Sequence, residues 1–207
     1  MYKLYYSPAA CSMIIHVALN ECNQPVTLEK VDMMAGQNRT PEFLKLNPRA
    51  QIPVLLDGDQ VIREGAAMLM HILEKHDSPL MPKSGADRDM AMEWMMFANA
   101  TLHPAYARAF FLKRNGVTDG ALMDAAVAAI NGLWAEVDQR LAQSPYICGG
   151  KVTIADIMLT VIANWSHNVP GTIMFGANTK RLLKEISSRP SYQKAMASEQ
   201  VDYKAAA

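Results

Sequence analysis

A chain of 207 residues, half of them apolar, is long enough to bury one large core or two small ones, so a globular fold is expected. Lysine and arginine together number 20, as do aspartate and glutamate, and the resulting formal charge of zero leaves no electrostatic footprint for nucleic acid or an anionic membrane. The opening Met-Tyr-Lys-Leu-Tyr-Tyr lacks the apolar region of a secretory signal, and the most apolar stretch, Ile154–Ala163, carries Asp156 and is too short to span a bilayer, so a cytoplasmic protein is expected.

In chain order, residues 3–6 read as a strand, 12–22 as a helix, 26–32 as a strand and 41–46 as a short helix. Residues 54–57 and 60–62 make a hairpin around Asp57-Gly58-Asp59, and 65–75 form another helix. The order β-α-β-α-β-β-α implies a mixed sheet with helices packed on it. Turn formers crowd residues 78–86, among them Pro79, Pro82 and Ser84-Gly85, and read as a linker between a first domain, 1–77, and a second, 87–207.

The second half carries helical patterning alone. Leu122, Ala126, Ala129, Ile130, Leu133, Val137 and Leu141 fall on one stripe at the 3.6-residue period, the face that a bundle helix buries. Breaks at Asn115-Gly116, Ser144-Pro145 and Gly149-Gly150, and a late run with Pro170, Gly171 and Gly176, bound its helices. In Val152-Thr153-Ile154-Ala155-Asp156, Thr153 and Asp156 form a capping box with Val152 and Ile157 as its staple. It reads as a folding signal, each box residue contributing about 1 kcal/mol.

Cys11 stands where the first strand hands over to the first helix. The N–H groups of a first helical turn have no partner within the helix and favour an anion, so a thiolate would be stabilised there; a small buried hydrophobe is the other reading of the same residue. A helix amino end is worth about 0.3 to 2 kcal/mol, and one pKa unit is about 1.36 kcal/mol, so the dipole alone lowers a thiol by about one unit and a further donor is needed. The three cysteines, at 11, 22 and 148, include no close pair, which argues against a disulfide framework and a zinc site. On one helix Cys11 and Cys22 would lie about 16 Å apart, beyond the reach of a disulfide. His71 and His76 are five apart and do not share a helix face, so no metal is expected.

A β-α-β half with a cysteine before its first helix, joined to a helical half, resembles the glutathione transferase superfamily, and the details resemble its bacterial beta class. The residues that carry the likeness are Tyr5-Tyr6-Ser7-Pro8-Ala9-Ala10-Cys11-Ser12, Asn47-Pro48-Arg49-Ala50-Gln51-Ile52-Pro53-Val54-Leu55 and Arg63-Glu64-Gly65-Ala66-Ala67-Met68. Thr101-Leu102-His103, 146–156 and Arg189-Pro190 continue it in the family's order. The resemblance implies a thioredoxin-like first domain followed by a helical bundle, glutathione as co-substrate, and a homodimer.

It also implies roles. Pro53 would be cis, with Gln51 and Ile52 before it, and Val54 would pair its N–H and C=O with the cysteinyl part of glutathione as an added strand. Glu64 and Gly65 would take the γ-glutamyl end, the carboxylate on backbone N–H groups and the ammonium on the Glu64 side chain. Read without the family, Pro53 is a strand-edge proline and Glu64 a first-turn acid. Cys11, Ser12 and His103 would manage the sulfur. The family's lysine for the glycyl carboxylate falls near Ala35-Gly36 here, so Gln37 or Arg39 is the replacement, and the family's asparagine seven residues before the histidine is Met96, with Asn99 as the substitute. Tyr106 and Phe110 follow His103 along one face and are candidates for an acceptor pocket, whereas the cluster of Met90, Met92, Met95 and Met96 with Trp94 and Phe97 reads as core or dimer packing. His16 and Cys148 read as structural.

The function implied is conjugation of glutathione to small electrophiles, with mixed-disulfide chemistry at Cys11. One alternative is a glutathione-dependent thiol-disulfide oxidoreductase or peroxidase using Cys11 covalently. The other is a non-catalytic binding module on the same fold.

Overall fold

Strand β1 (Tyr2–Tyr6) buries Tyr2, Leu4 and Tyr6 on alternate positions, the period-two pattern of a sheet covered on one face. In the computed structural model, which describes residues 1–205, β1 pairs in parallel with β2 (Val26–Lys30) and antiparallel with β3 (Val54–Asp57), and β3 pairs antiparallel with β4 (Gln60–Ile62). The strand order is β2-β1-β3-β4. Helices α1 (Ser12–Glu21), α2 (Pro41–Leu46) and α3 (Gly65–Lys75) complete a thioredoxin-like arrangement, with a 3₁₀ turn at Gln37–Arg39.

Contacts divide the chain into two units, the first being Met1–Pro79 with Arg189–Asp202. Its last helix, α9 (Pro190–Glu199), packs along α1, so this helix departs from the reading of 87–207 as one helical domain. The reason lies on α1, where every residue from Ser12 to Asn20 is buried, polar ones included. His16 meets Glu199 at 3.0 Å, Asn20 donates to the Ser191 carbonyl at 3.1 Å, and Arg189 forks onto Glu21 at 2.7 and 2.8 Å. A buried polar group must be partnered, and α9 supplies the partners.

The second unit comprises Leu80–Ser188 with residues 203–205. It is helical: α4 (Gly85–Met96), a π-helical stretch (Phe97–Leu102), α5 (His103–Arg114), α6 (Gly120–Leu141), α7 (Ile154–Ala163) and α8 (Ala177–Ser187). Helix α7 is buried all round, as the central member of a bundle must be. On α6 the buried stripe is Met123, Ile130, Trp134, Val137 and Leu141, rotated from the expected one. Leu122 is 66% exposed and Ala129 is exposed. The indole of Trp134 accounts for the rotation: it is wholly buried and donates to Tyr106 at 2.8 Å, which turns that face inward and sends Leu122, Ala126 and Ala129 to a surface groove beside Phe111 and Leu112 of α5.

The capping box forms. The Asp156 carboxylate accepts from the Thr153 N–H at 2.8 Å and, from outside the box, from the Ile147 N–H at 2.8 Å. Among the described residues no helix is long and apolar enough to cross a membrane, and no group of three or more His, Cys, Asp or Glu side chains converges as a metal site.

Candidate functional site

The turn from β1 into α1 carries Cys11. It is closed by Ser12, whose hydroxyl accepts from the Ser7 N–H at 3.3 Å and donates to the Ser7 carbonyl at 3.1 Å. Ser12 is fully buried, so its hydroxyl is spent on the turn and is not offered to a sulfur at Cys11. What Ser12 offers the Cys11 sulfur is its backbone N–H, which pulls the thiol pKa down.

Cys11 is partly exposed as a residue, and its thiol donates weakly to the Ile52 carbonyl at 3.8 Å. Its pKa is pushed up to about 11: desolvation raises it, while its own N–H and that of Ser12 pull it down by less. The helix amino end therefore acts in the expected direction and loses to burial. At a pKa of about 11 the Cys11 thiol is protonated at pH 7.

Ile52 stands between Cys11 and the next element. The Ile52–Pro53 peptide is cis, and β3 begins at Val54, which faces Tyr5 on β1. Strand β4 pairs only from Leu55, opposite Ile62, so at Val54 the sheet offers an edge on that side. Val54 itself has no exposed surface, and a peptide reaching its N–H and C=O must displace what covers them. The loop before Pro53 is braced by residues to which sequence reasoning assigned no role of their own. Asn38 donates to the Ala50 carbonyl at 2.7 Å, Asn47 to the Gln51 carbonyl at 2.8 Å, and Arg63 to the Leu46 carbonyl at 2.6 Å. Asn47 and Arg63 lie in stretches that carry the family resemblance, which was the available signal; Asn38 had none.

The same loop reaches the amino end of α3. Arg49 donates to Glu64 at 2.7 Å, both side chains being more than half exposed. Glu64 is held at φ 70°, ψ 120°, a conformation that costs an ordinary residue about 1 to 3 kcal/mol and persists only where its surroundings over-determine it. The first backbone bond of α3 runs from Met68 to the Glu64 carbonyl, so the N–H groups of Gly65, Ala66 and Ala67 precede the helical ladder. Positive potential from those groups sits beside a carboxylate that projects into solvent, an arrangement able to receive both charges of an amino-acid head group. Gln51, two residues after Arg49, is exposed. Gln37 is spent on the Asp32 N–H at 2.8 Å, while Arg39 stays exposed on the 3₁₀ turn.

In the second unit His103 opens α5, directly after the π-helical stretch that holds Asn99. Burial lowers its pKa, so the imidazole is neutral at pH 7, and it lies 5.1 Å from the ring of Trp165. Tyr106 is wholly buried; its hydroxyl meets Ser166 at 2.6 Å and receives the Trp134 N–H, and desolvation pushes its pKa up to about 12. Tyr106 is therefore packed in the core of the second unit. Phe110, 6.1 Å from it, remains half-exposed. Of the methionine cluster, Met95 is core and Met96 is 38% exposed.

Family models described as the glutathione S-transferase N-terminal domain and C-terminal domain match residues 9–75 and 120–190. The chain is similar to glutathione S-transferase GstA of Escherichia coli O157:H7, 26% identical over 201 residues that cover 95% of this chain and 98% of the relative. It is 30% identical to glutathione S-transferase 2 of Anopheles gambiae over 172 residues, 77% of each chain. Among solved structures, a glutathione transferase from Methylococcus capsulatus superposes with a TM-score of 0.81 at 28% identity, covering 97% of this chain and 99% of the other.

Proposed function

The chain belongs to the glutathione S-transferase family, and from that premise we propose that it binds glutathione and promotes attack of the tripeptide's thiol on small electrophiles. The observation that carries this reading is the amino end of α3, where Glu64 is fixed at φ 70° with three ladder-free N–H groups behind it and Arg49 ties it to the loop leading into Val54. The γ-glutamyl carboxylate would lie on the Gly65 and Ala66 N–H groups, its ammonium on Glu64, and the cysteinyl backbone along Val54, with Ile52 and Pro53 shaping that edge. Gln51 and Arg39 are the exposed polar groups assigned to the remainder of the peptide.

Cys11 serves in this reading as a hydrogen-bond donor to the sulfur of glutathione. A thiol with a pKa of about 11 is only ~10⁻⁴ thiolate at pH 7, which weighs against a resident nucleophile and favours the transferase over a covalent oxidoreductase or peroxidase. His103, Asn99 and Phe110 enter through the resemblance alone, His103 as a neutral imidazole. The reading includes a beta-type member acting in the cytoplasm as a homodimer. Calorimetric titration with glutathione tests it: saturable heat is expected, and none from folded protein overturns it. Binding without turnover of any halogenated nitroarene or mixed disulfide would favour the binding-module alternative.

A further inference from the structure

We propose that Glu199, the last residue of α9, is a positioning residue for Cys11, its carboxylate fixing the turn that presents the thiol. The inference rests on the reading of Cys11 as the residue at the sulfur. The turn contains Ala9 at φ 57°, a left-handed conformation that residues with a Cβ avoid and that needs external support. Two of its supports are side chains from opposite ends of the chain. One is local: the Ser12 hydroxyl bonded to both backbone groups of Ser7, with the Ala10 N–H returning to the Ser7 carbonyl at 3.1 Å. The other comes from 190 residues away, where Glu199 Oε2 accepts from the Ala9 N–H at 3.1 Å.

The carboxylate is built to stay in place. Its side chain has no exposed surface, and its second oxygen, Oε1, meets His16 Nδ1 at 3.0 Å. Tyr6 and Tyr192 have their pKa values raised by burial first and by Glu199 second, which places both within reach of its carboxylate. Anchoring α9 to α1 does not require the Ala9 bond, because Asn20 with Ser191 and Glu21 with Arg189 already do so. What the Ala9 bond adds is control of a backbone two residues from Cys11. With the acceptor removed, the turn loses its hold from α9 and loosens, and the thiol, now held by burial near a pKa of 11, moves toward water. Each unit of decrease is ten times more thiolate.

The test is iodoacetamide alkylation at pH 8, followed cysteine by cysteine by peptide mass spectrometry, in the full chain and in Glu199→Ala and Glu199→Gln. Alanine should accelerate Cys11 about tenfold and leave Cys22 and Cys148 within twofold, with KM for glutathione raised more than kcat is lowered. Glutamine, whose amide oxygen still accepts from Ala9, should restore Cys11 to within about twofold of the unaltered protein. Should alanine not fold, Glu199→Asp takes its place with the same expectation, since the shorter side chain cannot serve His16 and Ala9 together. Unchanged Cys11 reactivity, or equal acceleration of all three cysteines, overturns the proposal. In the unaltered protein the Ala9 amide should exchange with deuterium at least about a hundredfold more slowly than an open-loop amide, and an unprotected Ala9 overturns the proposal whatever the variants do. Alkylation uses no glutathione, so failure of the unaltered protein to bind the tripeptide would sink the proposed function separately.

Discussion

Replacing Cys11 by alanine separates a donor from a nucleophile. With its pKa near 11 the thiol is ~10⁻⁴ ionised at pH 7, so a mechanism that begins with Cys11 attack carries that penalty before any chemistry. A mechanism in which glutathione is the nucleophile loses only one hydrogen bond to a charged sulfur. Such a bond is worth about 1 to 2 kcal/mol, and Cys11→Ala should therefore lower kcat/KM for glutathione and a halogenated nitroarene by about 5- to 30-fold. The thiol touches the Ile52 carbonyl at 3.8 Å, a weak contact, so the variant should fold with little change in stability. Steady-state conjugation and reduction of a glutathione mixed disulfide are measured side by side. Conjugation should survive in part and disulfide reduction should vanish. Loss of conjugation beyond about a thousandfold, with glutathione affinity intact, would refute the donor role, and an unchanged rate would remove Cys11 from the site.

Other perturbations test separate links of the argument. Glu64→Ala should leave the melting temperature nearly unchanged, because its pair with Arg49 is exposed on both sides, yet weaken glutathione binding about tenfold by calorimetry. Asp156→Ala should cost about 3 kcal/mol, well above the sequence-based expectation for a capping-box residue, because it strips acceptors from two buried N–H groups, those of Thr153 and Ile147; a fall in melting temperature of roughly 6 to 12 °C is the readout. Cys11 and Cys148 both have pKa values pushed up to about 11, above the unfolded value near 8.5, so over that window the unfolded chain holds fewer protons and stability falls as pH rises, by up to about 1.4 kcal/mol per unit for each thiol. Urea titrations at pH 8, 9 and 10 should show a shallower decline in Cys11→Ala, and parallel declines would contradict the burial of the thiol.

What the sequence made legible follows from the range of the interactions involved. The helix at Pro41–Leu46, the hairpin strands and the helix at Gly65–Lys75 obey rules that act within a few residues, and they occur where periodicity and turn residues place them. The capping box is local in the same sense, but its energy is not, because Ile147 joins it from outside the motif. An amino-acid type does not say whether its polar group is already engaged. Ser12 and Tyr106 carry hydroxyls suited to the proposed chemistry, yet Ser7, Ser166 and Trp134 consume them, and only the three-dimensional partners reveal that. Cys11 is the sharpest instance: helix-dipole reasoning gives the right sign for one influence and omits the larger desolvation that opposes it. Polar residues buried on α1 were the overlooked clue to α9. A histidine, an asparagine and a glutamate at positions 16, 20 and 21 of an otherwise apolar helix demand partners, and since a buried polar group without one costs several times what a paired one contributes, another segment had to be brought to that face. That demand is readable in a sequence, whereas the identity of the segment that meets it, 168 to 183 residues further on, is not.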